Sequence, residues 1–439
     1  MRGNRLATAM LGVTLVTATF CGLVYAQGRA AESAESTLSA LVAEALQNNP
    51  ELRAAAKETE AARQRVRPAG ALEDPMLEAG FINVPIQPLR FDSEDMTMKM
   101  LGLSQKLPYP GKRALREQLA AKDAETTRYG LRETSNRIAR EVKFAYYDLA
   151  LTDATVRLQQ SNRNILEQFL HIAESRYAVG QVAQAEVLRA QTQLGRMSEE
   201  LLRMERERPV LEAELLRLLG RRANALPIVV ELPGLRDAAL DLEALQQAAL
   251  RERPQLLGLQ SAVERSAKAV DLARKEKQPD FDLRFAYGQR EKDLSGAPRQ
   301  DVISLTVAMN LPVWREDKTE PRIAEAHAMR DQALELQQAQ QNEVLARLRQ
   351  QVAITEQSRK SVRLYETAVL PQARLAVEAA LSAYQVSRVD LLMLLDSQMS
   401  LYSYEINRAR ELVNFNKALA EIELLTGRQM FQGRTKEKR

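Results

Sequence analysis

The chain lacks most of what chemistry usually needs. Among its 439 residues there is one cysteine, Cys21, and there are two histidines, His171 and His327. One thiol permits no disulfide within the chain. Two histidines without a neighbouring cysteine make neither a zinc set nor a Cys/His nucleophile pair. Both fall in helical stretches and read as surface or seam residues. No glycine-rich phosphate loop and no nucleophile elbow occurs. The sequence therefore reads as a non-enzyme, with no cofactor and no bound metal of its own. Aromatic residues are scarce at 5%, which disfavours a thick globular core. A dominant charge of one sign is missing too: 62 Lys and Arg stand against 58 Asp and Glu, a net +4. The signs are interspersed, so a pI near 9.0 is no argument for nucleic acid, which requires clustered basic residues.

What is present is Ala, Leu, Glu, Arg and Gln in long helical patterns, which points to long helices with narrow apolar seams. The N-terminus reads as a secretory signal over residues 1–26. Arg2 and Arg5 precede an apolar stretch from Leu6 to Val24, and Val24-Tyr25-Ala26 resembles a cleavage site. Cleavage would remove two arginines and no acids, taking the charge from +4 to +2, and would also remove Cys21. The alternatives are a retained membrane helix and a lipidated Cys21; Phe20 before Cys21 speaks against lipidation.

The rest of the chain is one plan written twice. Pro50 pairs with Pro254, Pro75 with Pro279 and Pro108 with Pro312, all at an offset of 204. Tyr177 pairs with Tyr384, Gln191 with Gln398 and Gly220 with Gly427, all at 207. The expected organisation is a linker over 27–36, a first copy over 37–220, a mid-height linker over 221–238, a second copy over 239–430 and a basic flexible tail over 431–439. Each copy begins with a helix, Ser36–Arg67 or Asp241–Lys277. Two strands follow, then a long helical run, Lys112–Tyr177 or Pro321–Tyr384, and a last helix ending at Gly220 or Gly427.

The strands alternate. Phe281, Leu283, Phe285 and Tyr287 share one face, and Ile303, Leu305, Val307, Met309 and Leu311 share another. Pro75–Val84 and Met96–Gln105 occupy the matching places in the first copy. A wholly apolar face at period two fits transmembrane strands of roughly 9–11 residues. A half-buried hairpin of a soluble protein is the alternative. Four strands cannot close a barrel, and an open edge in lipid leaves backbone groups unpaired. A barrel would have to be shared, with eight strands from two chains or twelve from three. Met96, Met98 and Met100 share a strand face. A soft-metal path of thioethers is conceivable, but an apolar barrel face is the preferred reading.

The helix lengths match one another, one long helix against two short ones stacked end to end. Lys112–Tyr177 would span about 99 Å, and the two shorter helices of that copy together about 105 Å. Ile138, Val142, Ala145, Leu149, Thr152 and Val156 step by 4, 3, 4, 3 and 4, a coiled-coil seam. Gly180 marks the tip where the long helix reverses, since glycine tolerates positive φ. Ser387 replaces it in the second copy, which predicts a different turn there.

Taken together, these features resemble the TolC family of outer-membrane efflux ducts over nearly all of the mature chain. The family's tip pattern stands as Tyr177-Ala178-Val179-Gly180 with Glu186, and again as Tyr384-Gln385-Val386-Ser387 with Asp396. Leu103–Glu117 ("LSQKLPYPGKRALRE") and Asp74–Pro85 resemble members that serve heavy-metal pumps. The resemblance implies a mainly α fold with a small β part. Tandem-duplicated long helices would form a trimeric periplasmic α-barrel, and four strands per chain a shared twelve-strand barrel in the outer membrane. The implied partners are two further copies, a periplasmic adaptor, an inner-membrane pump of the resistance-nodulation-division type and outer-membrane lipid. The implied role is a passive duct for heavy-metal cations, with organic compounds the alternative. Tyr177, Val179, Gly180, Gln181, Val182, Tyr384, Val386, Ser387 and Arg388 would dock the adaptor. Glu186 and Asp396 would line the constriction, with Met393 standing where a second acid would be. Pro108, Pro110, Gly111 and Pro312 would form the barrel–tunnel junction. A secreted coiled-coil scaffold without a pore explains the helices but leaves the hairpins unexplained, and a periplasmic adaptor would lack the whole-chain duplication.

Overall fold

The computed structural model describes residues 37–428, apart from 88, 223–226 and 237–239. The signal peptide, the linker 27–36, the tail 431–439 and part of the linker 221–238 lie outside the described residues. The chain forms two compact units. One holds the residues up to Ala54, Arg132–Arg253 and those from Asn342 onward; the other holds Ala55–Leu131 and Pro254–Gln341. No helix of the described residues is long and apolar enough to cross a membrane.

The expected first helix of each copy is two helices, broken at the conserved offset. Helix α1 covers 37–48 and α2 covers Pro50–Gly70; α5 covers Leu242–Glu252 and α6 covers Pro254–Lys275. The cause is proline, which pushes the residue before it out of the helical region. Arg253 accordingly has ψ 120°. Asn49 caps α2: its Oδ1 accepts from the N–H groups of Glu51 at 2.9 Å and Leu52 at 3.3 Å, while its Nδ2 donates to Leu218 O at 2.8 Å.

Helix α3 runs unbroken from Lys112 to Ala178. Helix α4, Gln184–Leu219, ends at Gly220 with φ 69°. The second copy's long run is divided. A π-helical turn at Arg315–Thr319 leads into α7, Glu320–Leu364, and another at Tyr365–Val369 leads into α8, Leu370–Gln385. Pro371 has no N–H to give to the regular ladder, and a π turn absorbs the mismatch. Helix α9, Leu391–Thr426, ends at Gly427 with φ 70°.

In the helical unit, α1, α3, α4 and α9 share a core that includes Val42, Ile138, Leu149, Leu219 and Val413. The expected seam holds from Ile138 to Leu149. Beyond that it shifts, because Thr152 and Val156 are only half-buried while Thr155 and Gln159 are buried. The linker is not a mere tether. Ile228 and Val230 alternate into this core, and the Tyr146 hydroxyl donates to Glu231 O at 3.1 Å.

In the other unit the strands are β1, Met76–Ile82, β2, Met98–Leu107, β3, Phe281–Gln289, and β4, Val302–Met309. They form one antiparallel sheet in the order β1-β2-β3-β4, so β2 and β3 join the two copies. Beside the sheet, α2 and α6 lie along the first part of α3. The Thr59 hydroxyl donates to Thr127 O at 3.4 Å, and the Ser261 hydroxyl to Lys122 O at 3.2 Å.

Candidate functional site

Three regions carry the expected site residues: the helix tips, the junction and the sheet faces. At the first tip Gly180 has φ 73°, its N–H donates to Tyr177 O at 2.9 Å, and Gln181 N–H donates to Arg176 O at 2.8 Å. At the second tip Ser387 has φ 61°, its N–H donates to Tyr384 O at 3.0 Å, and Arg388 N–H donates to Ala383 O at 2.9 Å. Each bond recurs at an offset of 207, so the two turns have one geometry. The different turn expected at Ser387 is therefore corrected. A left-handed serine costs roughly 1 kcal/mol or more relative to glycine. Tertiary bonds oppose that cost: the Arg176 guanidinium donates to both Ser387 Oγ and Tyr384 O, and it sits 4.7 Å from the centre of the Tyr384 ring.

The two tip tyrosines are not equivalent. Tyr177 is 46% exposed, whereas Tyr384 is 1% exposed, packed with Leu391 and Leu394. The Tyr384 hydroxyl donates to Glu186 Oε2 at 3.4 Å. Burial, reinforced by the Glu186 carboxylate, pushes its phenol above the ordinary range. Val179, Val386, Gly180, Gln181, Ser387 and Arg388 are exposed, and Val182 is half-buried. Leu392 and Met393, in the first turn of α9, are exposed as well.

The two constriction residues differ in setting. Glu186 is half-buried against Tyr384; Asp396 is exposed. At an offset of 207, Glu186 corresponds to Met393 and Asp396 to Arg189. Each copy thus keeps one acid, at different positions of the pattern. Asp396 lines a groove of about 370 Å³ with Thr192, Gln193, Met399 and two cations, Arg189 and Arg196.

At the junction, Pro108 and Pro110 bracket Tyr109, and Gly111 has φ 93° ahead of α3. The main anchor is a residue that local sequence did not reveal. Lys112 is buried, and its Nζ donates to Asp280 Oδ1 at 2.8 Å and to Gln278 O at 3.0 Å. Tyr109 N–H donates to the same Asp280 oxygen at 2.8 Å. Burial works against the Asp280 carboxylate, but the Lys112 ammonium and the Tyr109 N–H outweigh it and hold its pKa below the ordinary value. After β4, Pro312 leads to Val313 and Trp314, which are 69% and 71% exposed.

The sheet is inverted relative to a soluble protein. Leu77, Phe81, Leu101, Leu103, Phe285, Tyr287, Ile303, Leu305 and Val307 are all exposed on one side. The other side carries Glu78, Gly80, Gly102, Ser104, Ala286 and Gly288, and it is the less exposed of the two on β1, β2 and β3. The alternation expected in β3 and β4 is present, and the register extends it across all four strands. Met98 and Met100 stand on the side of Glu78 and Gly288, not on the apolar side. The preferred reading of the methionines as an apolar barrel face is overturned. The strand begins at Met98, leaving Met96 outside it.

An exposed apolar face on a four-stranded antiparallel sheet, in a chain of long helices, belongs to a known architecture. The fold is that of outer-membrane channels. Residues 41–221 match the family model described as outer membrane efflux protein. CusC, whose structures concern folding and transmembrane channel formation, is similar with a TM-score of 0.75 at 15% identity, over 90% of this chain and 92% of that one. The open state of the MtrE outer membrane channel of Neisseria gonorrhoeae gives 0.75 at 17% identity, over 90% of both chains. The CmeC outer membrane channel of Campylobacter jejuni gives 0.74 at 14% identity, over 89% of this chain and 85% of that one. No curated protein matches by sequence.

Proposed function

We propose that this protein is the outer-membrane duct of a tripartite efflux system. Three copies close a twelve-strand barrel, and cargo passes through it from an inner-membrane pump and a periplasmic adaptor. The observation that carries this reading is the sheet. Its exposed side is apolar across the middle of the sheet, with polar residues only toward its ends at Lys99, Gln105 and Gln289, so lipid is the medium that suits it. Among the described residues, β1 and β4 each pair on one side only, and in lipid an unpaired edge costs several kcal/mol per backbone group. Further copies supply those edges without altering the chain. Tyr109, two residues beyond β2, and Trp314, five beyond β4, suit the membrane–water interface.

The helix tips are the docking surface for the adaptor, through Val179, Gly180, Gln181, Val386, Ser387 and Arg388, with Leu392 and Met393 added. Energy comes from the pump; the duct binds and orders but makes or breaks no bond. We assign heavy-metal cations as cargo, on the resemblance carried by Asp74–Pro85 and Leu103–Glu117. The test is a strain lacking the protein, with a plasmid copy to restore it, exposed to copper, silver, zinc, cobalt, cadmium, detergents, dyes and antibiotics. Selective loss of metal tolerance supports the assignment. Sensitivity confined to organic compounds overturns the cargo and leaves the duct.

A further inference from the structure

The groove that holds Asp396 carries more positive than negative charge. On α4, Arg189 and Arg196 stand seven residues apart with Thr192 and Gln193 between them, so all four share one helix face. Asp396 of α9 lines the same groove of about 370 Å³, over a floor that includes the buried Leu395. Both arginines and Asp396 are exposed. None of the three has a side-chain hydrogen bond or an ion pair among the described residues. Arginines farther along these helices are paired: Arg203 with Glu200, Arg208 with Asp153 and Arg408 with Glu366. Such pairs cancel at a distance, whereas the groove keeps two cations against one anion, a net +1 per copy. The excess comes from the first copy alone. At an offset of 207, Arg189 corresponds to Asp396 itself and Arg196 to Ser403. A cleft lined by an excess of one sign concentrates its field and draws ions of the other sign.

We infer that this groove makes the tip constriction prefer anions, with Arg189 and Arg196 setting the selectivity and Asp396 opposing them. The inference rests on the efflux reading, which puts Asp396 in the path and brings three such grooves to one level of the duct. Rings of arginine favour anions in pores as rings of acids favour cations. The cargo assignment gains a condition: a heavy-metal cation passes this level as a complex whose anionic ligands outweigh its charge.

The test has two readouts, both on the full-length protein. The first is local. Thr192→Cys puts a thiol in the groove, with the unaltered protein as blank. Two methanethiosulfonate reagents are compared at low ionic strength, one bearing a sulfonate and the other a trimethylammonium, each rate divided by its rate with a small free thiol. The sulfonate reagent should be favoured several-fold, and adding Arg189→Gln and Arg196→Gln should reverse that preference. The second readout is the reversal potential in planar bilayers across a KCl gradient. The unaltered protein should favour chloride. The double variant Arg189→Gln with Arg196→Gln should favour potassium, and Asp396→Asn should strengthen the preference for chloride. All three side chains are exposed, so these variants keep the fold. Equal relative rates for the two reagents would overturn the inference by removing the field. A potassium preference in the unaltered protein, or a reversal potential that the double variant leaves unchanged, would overturn it and leave the duct standing. Absence of any conductance from the unaltered protein would contradict the duct itself, and the inference with it.

Discussion

The two copies place the same residue in opposite surroundings. Tyr177 and Tyr384 sit at one repeat position, on turns with the same backbone bonds, yet one is 46% exposed and the other 1%. Lys112 of the first copy is buried on Asp280 of the second, while its repeat equivalent Glu316 is exposed. Duplication has kept the backbone plan and let the side chains diverge. In each pair one copy supplies the anchor and the other presents surface. Arg176 shows the principle at its clearest, since a residue of the first tip holds the strained turn of the second.

The largest expected difference between copies is at the tyrosines. Tyr384→Ala should destabilise the tip by about 3–5 kcal/mol, as truncation of a buried aromatic does, and Tyr177→Ala by under about 1 kcal/mol. Hydrogen exchange of the tip amides separates the two. Equal protection in both variants would break the comparison.

At the junction, Lys112→Ala should cost about 2 kcal/mol, below the usual loss for a broken buried pair because the Asp280 side chain is 40% exposed. Glu316→Ala should change thermal stability by under about 0.5 kcal/mol. The pair also fixes a pH dependence. The folded pKa of Asp280 lies below its ordinary 3.8, so the stabilisation is present above that value and is lost as pH falls through the depressed one. An acid titration of thermal stability in both variants should show that loss reduced only where Lys112 is replaced, since the Tyr109 N–H still favours the carboxylate.

Smaller effects belong to the turns. Nothing lies within 4 Å of a Cβ placed on Gly180, so Gly180→Ala should cost only its backbone strain, about 1 kcal/mol. Ser387→Gly relieves that strain and gives up the bond from Arg176, so its net effect should be within about 0.5 kcal/mol, read by the same exchange experiment. The smallest effect is at high pH. Burial, with the Glu200 carboxylate adding, pushes Tyr402 up to about 12 from its ordinary 10.0. Its contribution is present below pH 10 and is lost as pH rises through 12. Tyr402→Phe should flatten the alkaline fall in thermal stability; Gly195, the equivalent in the first copy, has no group to titrate.

The parts of this fold that were legible are those set by local pattern. Glycines 220 and 427 end helices, and period two marks the strands within two or three residues at each end. The break before Pro50 and Pro254 was also written, but the apolar periodicity continues across it and hides it. Ile228 and Val230 alternate as a packed segment would, in a stretch short enough to pass for a linker. Other features have no local signature. The left-handed Ser387 depends on Arg176, and the burial of Lys112 depends on Asp280; both partners lie far away in sequence. The methionines show the limit of parity: sequence spacing put them on one side of a strand, and only the register with β1 and β3 says which side.

The account stands on the assignment of the two sides of the sheet. The most direct measurement attaches a spin label at successive β4 positions, through Ile303→Cys, Ser304→Cys, Leu305→Cys, Thr306→Cys and Val307→Cys, in protein reconstituted into bilayers. Collision rates with dissolved oxygen and with a water-soluble nickel chelate then report the medium at each site. Positions 303, 305 and 307 should favour oxygen, and 304 and 306 should favour the chelate, as a lipid-facing side and a water-filled lumen require. Preference for the chelate at all five positions would contradict the barrel, and with it the duct.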